Sequence, residues 1–200
     1  IGLDALYGNE LTGLCRPEEL IELVDYGNRL KREFGIPIES AMISDVPGYT
    51  WGIVSVLAES GVKYFSIGPN GGHRIGYTLR VYGDKPFWWR SPCGRHRILC
   101  WIPRTGYWQG FRGEAGLLSL LQQMEDAKYP YDLVQIRHCL GDNAGPGVDL
   151  SEFVRDWNGR HAYPKLVIAT TREMMQELER RYGDQLPEVR IMHLTEILAK

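Results

Sequence analysis

The stretch Ile36-Pro37-Ile38-Glu39-Ser40-Ala41-Met42-Ile43-Ser44-Asp45-Val46-Pro47-Gly48 decides how this chain is read. Its apolar run predicts a strand over residues 38–44. Pro47 and Gly48 make the turn that follows, and Pro47 disfavours a helical conformation at Val46. Residues 50–60 then predict a helix, capped by Thr50 and stopped by Gly61. Asp45 is thus a carboxylate at the C-terminal end of a strand, on the turn into a helix, which is where α/β barrels place their chemistry.

Upstream, the first fifteen residues show no period and read as a loop. Pro17, Glu18 and Glu19 open a helix, with Pro in its first turn and acids at the positive end of its dipole. Leu20, Ile21, Val24, Leu30 and Phe34 give it a stripe, and Gly35 ends it. Downstream, residues 62–67 are apolar enough for a strand buried on both faces. Residues 68–76 form a glycine-rich loop, and residues 86–90 and 97–103 read as a hairpin around Pro92-Cys93-Gly94. A helix is expected over residues 114–127 with Leu117, Leu118, Leu121 and Met124 on its face. A strand is expected at 132–137, a loop at 139–147, a helix at 150–157, a strand at 165–169 and a helix from Thr171 to about Tyr182, closed by Gly183.

Alternating strands and helices are the signature of a parallel sheet, open or closed, so the fold class is α/β. About five parallel strands are visible, fewer than a closed eight-stranded barrel needs. The chain reads as a single domain over residues 1–200 and as a piece of a larger enzyme. Open sheet edges make a homo-oligomer an option.

The formal net charge is −2 and the pI about 6.2, without the basic patch of a nucleic-acid or membrane-surface binder. No apolar run approaches the roughly 18–20 residues that span a bilayer. Cys15, Cys93, Cys100 and Cys139 form no C-x-x-C pair and read as buried free thiols.

Four groups of residues are candidates for chemistry. Asp45 has the chemistry of a nucleophile, a base or a metal ligand, or else of a turn residue bonded to its own backbone. The loop 68–76, five of whose residues are Gly or Pro, lets backbone approach a ligand and offers His73 and Arg74 as hydrogen-bond donors to a polar substrate. It matches neither phosphate-binding glycine motif. The loop Cys139-Leu140-Gly141-Asp142-Asn143 puts a second carboxylate, Asp142, on the same expected rim, and paired carboxylates are what glycoside hydrolysis requires. Most of the six Trp are expected in the core, which leaves Tyr107 and Trp108, beside Gly106, as candidate sugar contacts. His138 reads as a core histidine.

Several of these segments resemble a known family, in its order. Ala41-Met42-Ile43-Ser44-Asp45-Val46-Pro47-Gly48, followed by Leu57-Ala58-Glu59-Ser60-Gly61-Val62-Lys63-Tyr64, resembles the nucleophile segment of the glycoside hydrolase family 38 α-mannosidases, which carries Asp-Pro-Phe-Gly after a strand. Phe87-Trp88-Trp89-Arg90 resembles that family's aromatic-rich Trp-Arg strand, and Gly106-Tyr107-Trp108 its next aromatic segment. Leu140-Gly141-Asp142-Asn143 resembles its Leu-Gly-Asp-Asp loop, and Lys165-Leu166-Val167-Ile168-Ala169-Thr170 its last barrel strand.

The resemblance implies the C-terminal portion of a seven-stranded β/α barrel, here with a β-hairpin insertion. It implies a retaining, zinc-dependent glycosidase acting on carbohydrate, in which Asp45 is both nucleophile and zinc ligand. The other zinc ligands would lie outside this chain, and Asp142 stands for the acid/base by position alone. At the turn, Val46-Pro47-Gly48 departs from Pro-Phe-Gly, as in a divergent branch. Two alternatives stay open: a metal-dependent polysaccharide deacetylase-like barrel, and a non-catalytic carbohydrate-binding or scaffold segment.

Overall fold

A computed structural model of the chain describes residues 2–46, 48–70, 79, 81–108, 110–138, 143–145 and 147–190. Its helices are α1 (Pro17–Phe34), α2 (Ile53–Glu59), α3 (Gly113–Asp126), α4 (Leu150–Arg160) and α5 (Thr171–Tyr182). Its strands are β1 (Ser40–Asp45), β2 (Tyr64–Pro69), β3 (Phe87–Arg90), β4 (Arg97–Trp101) and β5 (Glu188–Val189). They form one sheet in the order β1-β2-β4-β3-β5. β1 and β2 are parallel with Ser40 opposite Tyr64 and Asp45 opposite Pro69, and β2 and β4 are parallel as well. β3 and β4 make the expected antiparallel hairpin.

The element ends follow local rules. Glu19 accepts from the Arg16 backbone N–H (2.7 Å) at the start of α1, and Gly35 closes that helix with a left-handed φ of 64°. Thr170 and Glu173 make a reciprocal capping box on α5. α2 starts at Ile53 with Gly52 at its N-cap, so the expected Thr50 side-chain cap is not made; the Thr50 N–H donates to the Thr12 hydroxyl. On α1 the buried stripe is Leu20, Leu23, Val24 and Gly27, while Ile21 and Phe34 face solvent. On α3 it is Leu117, Leu120 and Met124, with Leu118 exposed.

The sheet is covered on both faces. α1 and α2 pack on Ala41, Ile43, Phe65, Ile67, Ile98 and Cys100. On the other face Met175 and Leu178 of α5 join Tyr64, Trp88, Leu99 and Trp101. The described residues therefore form an open, mainly parallel five-stranded α/β sheet, where the resemblance implies a seven-stranded barrel.

Two expected strands are not strands. Residues 132–137 lie across the second face, and Gln135 and Arg137 bond the Ser66 hydroxyl rather than a strand edge. Both edges of β2 are taken by β1 and β4. The outer edge of β1 is occupied too, since Ala5 N–H donates to Ser40 O (2.8 Å) and the Asn9 amide bonds both the N–H and the C=O of Ser44. In residues 165–169, the Asn158 amide takes the Leu166 N–H and C=O (2.9 and 2.8 Å), so a side chain stands where a partner strand would be. β5 escapes sequence reading because it is two residues long; the bidentate Arg90–Glu188 pair fastens it to β3.

Residues 2–15 form the expected loop, with one 3-10 turn at Thr12–Leu14, and hydrogen bonds tie them to the rest of the domain. Beyond Ala5 and Asn9, the buried Thr12 hydroxyl donates to Gly48 O (3.2 Å) and accepts from Thr50 N–H (3.1 Å). We expect Thr12→Val to cost about 1–3 kcal/mol, because it leaves the Thr50 N–H unpaired, and Thr12→Ser to cost less. Urea unfolding measures the difference; a valine variant as stable as the serine variant would show that the hydroxyl does not hold this turn.

Candidate functional site

Asp45 is the last residue of β1 and carries a φ of 68°. The left-handed region costs an L-residue roughly 1–2 kcal/mol, less for Asp and Asn than for most others. The turn tightens at once, with Val46 N–H donating to Ser44 O (2.9 Å). The carboxylate is exposed at the C-terminal edge of the sheet, and Asn70 Nδ2 donates to its Oδ1 (2.9 Å). Asn70 follows Pro69, the residue paired with Asp45. One carboxylate oxygen is thus fixed by an amide and its rotation is restricted.

A third segment reaches the same edge. The chain after β4 turns through Pro103 and Gly106 (φ 63°) to bring Tyr107 and Trp108 over the end of β2. A Cβ on Gly106 would lie 2.0 Å from Pro69 O, so this approach requires glycine. The two rings are tilted with centroids 4.6 Å apart; Tyr107 is buried and Trp108 is 42% exposed. The base of the loop is held by buried Asp84, whose carboxylate accepts from the Arg104 backbone N–H (2.9 Å) and guanidinium (3.1 Å). Burial pushes the Asp84 carboxyl up, and Arg104 pulls it back.

Beneath the edge, Arg137 donates to Ser44 Oγ (2.5 Å) and Ser66 Oγ (2.8 Å). A Cβ on Gly68 would lie 2.2 Å from Arg137 Nη1 and 3.1 Å from Tyr107 Cα. Gly68 is therefore where β2, Arg137 and the aromatic loop converge.

The structure thus brings Asp45, Tyr107 and Trp108 to one edge and adds Asn70 and Arg137, which the sequence reading missed. Asn70 was hidden in a loop of small residues, and Arg137 looked like the polar end of an apolar run. His73, Arg74 and Asp142 lie outside the described residues. His138 is exposed rather than core. Cys93 is exposed in the hairpin turn, against the expected buried thiol, while Cys100 is buried.

Among the described residues no three His, Cys, Asp or Glu side chains gather into a metal site, so Asp45 is a single carboxylate donor here. A cavity of about 360 Å³, lined by Asp4, Ser40 and Thr171 among others, opens at the opposite end of β1. No helix among the described residues is long and apolar enough to cross a membrane.

The sequence model of the family described as "Glycosyl hydrolases family 38 N-terminal domain" matches residues 12–190. No curated protein matches the chain. Among solved structures, an α-mannosidase from Enterococcus faecalis V583 is similar with a TM-score of 0.69 at 13% identity, over 93% of this chain and 21% of that one. A 4-α-glucanotransferase from Thermococcus litoralis has a TM-score of 0.47 at 14% identity, over 98% of this chain and 28% of that one. The chain thus spans about a fifth of the α-mannosidase's length.

The backbone at Asp45 is testable without any assay of activity. Asp45→Gly should be more stable than Asp45→Ala by about 1 kcal/mol, since both lose the carboxylate's bond to Asn70 and only glycine takes the left-handed region without strain. Denaturant unfolding of both variants decides it, and the reverse order would contradict a left-handed Asp45.

Proposed function

Since the chain belongs to the family of glycosyl hydrolases family 38 N-terminal domains, we propose that it is the part of a retaining α-mannosidase-like glycosidase that carries the nucleophile, Asp45. The observation that carries this reading is an exposed, left-handed aspartate at the C-terminal end of a parallel strand, with one oxygen held by Asn70. Strain in a rarely populated backbone region is a feature of functional sites. The carbohydrate substrate and the activity are those of the longer protein.

In the proposed reaction the free Asp45 Oδ2 attacks the anomeric carbon, the glycosidic C–O bond breaks, and the departing oxygen takes a proton from a second carboxylic acid. Asp142 is our candidate for that acid, by its place in sequence. Water, deprotonated by the same group, then attacks the anomeric carbon and releases Asp45 as carboxylate. Tyr107 and Trp108 would meet the apolar face of the sugar, while His73 and Arg74 would bond its hydroxyls. A seven-stranded barrel in the longer protein is part of the same reading.

Zinc is the metal that the family resemblance implies. The described residues do not fit it by themselves, since catalytic zinc takes about three protein ligands and Asp45 is one. Asp45 would be one ligand of a site completed elsewhere in the longer protein.

In the full-length protein, Asp45→Asn should lower turnover of a nitrophenyl α-mannoside by at least about 1,000-fold, because an amide cannot form the glycosyl-enzyme. The fold should persist, as asparagine also tolerates the left-handed region. Wild-type turnover in the variant would place the nucleophile elsewhere. The 200-residue chain alone should show no submicromolar zinc site by isothermal titration; tight binding would mean that ligands have been overlooked within it.

A further inference from the structure

Arg137 is the one charged side chain that bridges the neighbouring strands β1 and β2 by hydrogen bonds among the described residues. Its Nη1 donates to the hydroxyl of Ser44, the residue before Asp45, and its Nη2 to the hydroxyl of Ser66. Ser66 is fully buried and also accepts from Gln135 (2.9 Å). Ser44 is held from its other side, where its N–H donates to Asn9 Oδ1 (2.8 Å). The guanidinium is planar and permanently charged, so it presents these two donors in a fixed fork.

The sheet makes room for this fork at one position. β2 pairs Gly68 with Ser44, and any Cβ at Gly68 would sit 2.2 Å from Nη1 and 2.7 Å from Cζ of Arg137. The charge also acts on nearby groups. Burial pushes the Tyr49 hydroxyl up, the Arg137 charge pulls it down and the Asp45 charge pushes it up again, so both charges reach that buried group. Burial likewise raises the Asp4 carboxyl, while its bond with Ser40 and the Arg137 charge lower it.

Building on the reading of Asp45 as nucleophile, we propose that Arg137 is a positioning residue for it: by tying Ser44 to β2 across Gly68, the guanidinium sets the direction in which the next residue leaves the strand. Arg137 touches neither substrate nor reacting atoms in this role. Asn70 fixes the carboxylate from outside, and Arg137 fixes the backbone that carries it from below. A misplacement of about 1 Å at a reacting group costs on the order of 100-fold in rate, so loss of the fork is felt in the chemical step.

The test is a steady-state comparison in the full-length protein, with a nitrophenyl α-mannoside as substrate. Arg137→Met is expected to lower kcat about 100-fold with KM changed less than about 3-fold. Gly68→Ala, whose methyl displaces the guanidinium, is expected to lower kcat comparably. Arg137→Lys keeps the charge and one donor and should recover part of the loss. Ser66→Ala keeps the guanidinium and its bond to Ser44 but removes its hold on β2, and should lower kcat about 10-fold, so the test survives if Arg137→Met fails to fold. A kcat within about 3-fold of wild type in Ser66→Ala and in whichever Arg137 variants fold, with Asp45→Asn inactive, overturns the role of Arg137. Turnover by Asp45→Asn instead overturns the nucleophile reading beneath it.

Discussion

The left-handed backbone at Asp45 must be held against a cost of roughly 1–2 kcal/mol for an L-residue, and segments far apart in sequence hold it. Asn9 bonds the Ser44 backbone from the edge of the sheet. Thr12 and Gly13 bond Gly48 O, on the far side of the turn. Arg137 bonds the Ser44 side chain from the second face, and Asn70 bonds the carboxylate itself. None of these contacts alone is worth much more than about 1 kcal/mol, except those to charged groups. Together they over-determine one strand end, which is how a strained conformation persists in a folded protein.

Side-chain amides do the work of strands twice among the described residues. Asn9 satisfies both backbone groups of Ser44, and Asn158 satisfies both of Leu166. At β1 the result is a covered edge, so β1 is less open to pairing with another copy than a bare edge strand would be. At Leu166 the result is an extended segment that never joins the sheet, with Val167 and Ile168 exposed.

The sequence made the sheet's centre legible. The apolar runs at β1 and β2, the hairpin of β3 and β4, the Pro17 start and Gly35 stop of α1 and the Thr171 start of α5 all act locally, through periodicity, proline and glycine. Residues 132–137 and 165–169 have strand-like composition, but strand formation needs a free edge. Composition cannot reveal that the edges near them are taken. At the site, Asp45 was legible because strand, carboxylate, Pro and Gly stand in a row. Asn70, Arg137 and the glycines at 68 and 106 were not, since their roles depend on which strand lies beside which. The Asp84–Arg104 pair beneath the aromatic loop was hidden for the same reason, its partners being far apart in sequence.

The central claim is that Asp45 bonds covalently to the sugar. A 5-fluoro-mannosyl fluoride forms a glycosyl-enzyme that hydrolyses slowly enough to isolate, because the fluorine destabilises the oxocarbenium-like transition state of its release. Mass spectrometry of the digested full-length protein after such trapping should find one added fluoromannosyl group, on the Asp45 carboxylate. The same label on another carboxylate, or inactivation without any label, would contradict the account.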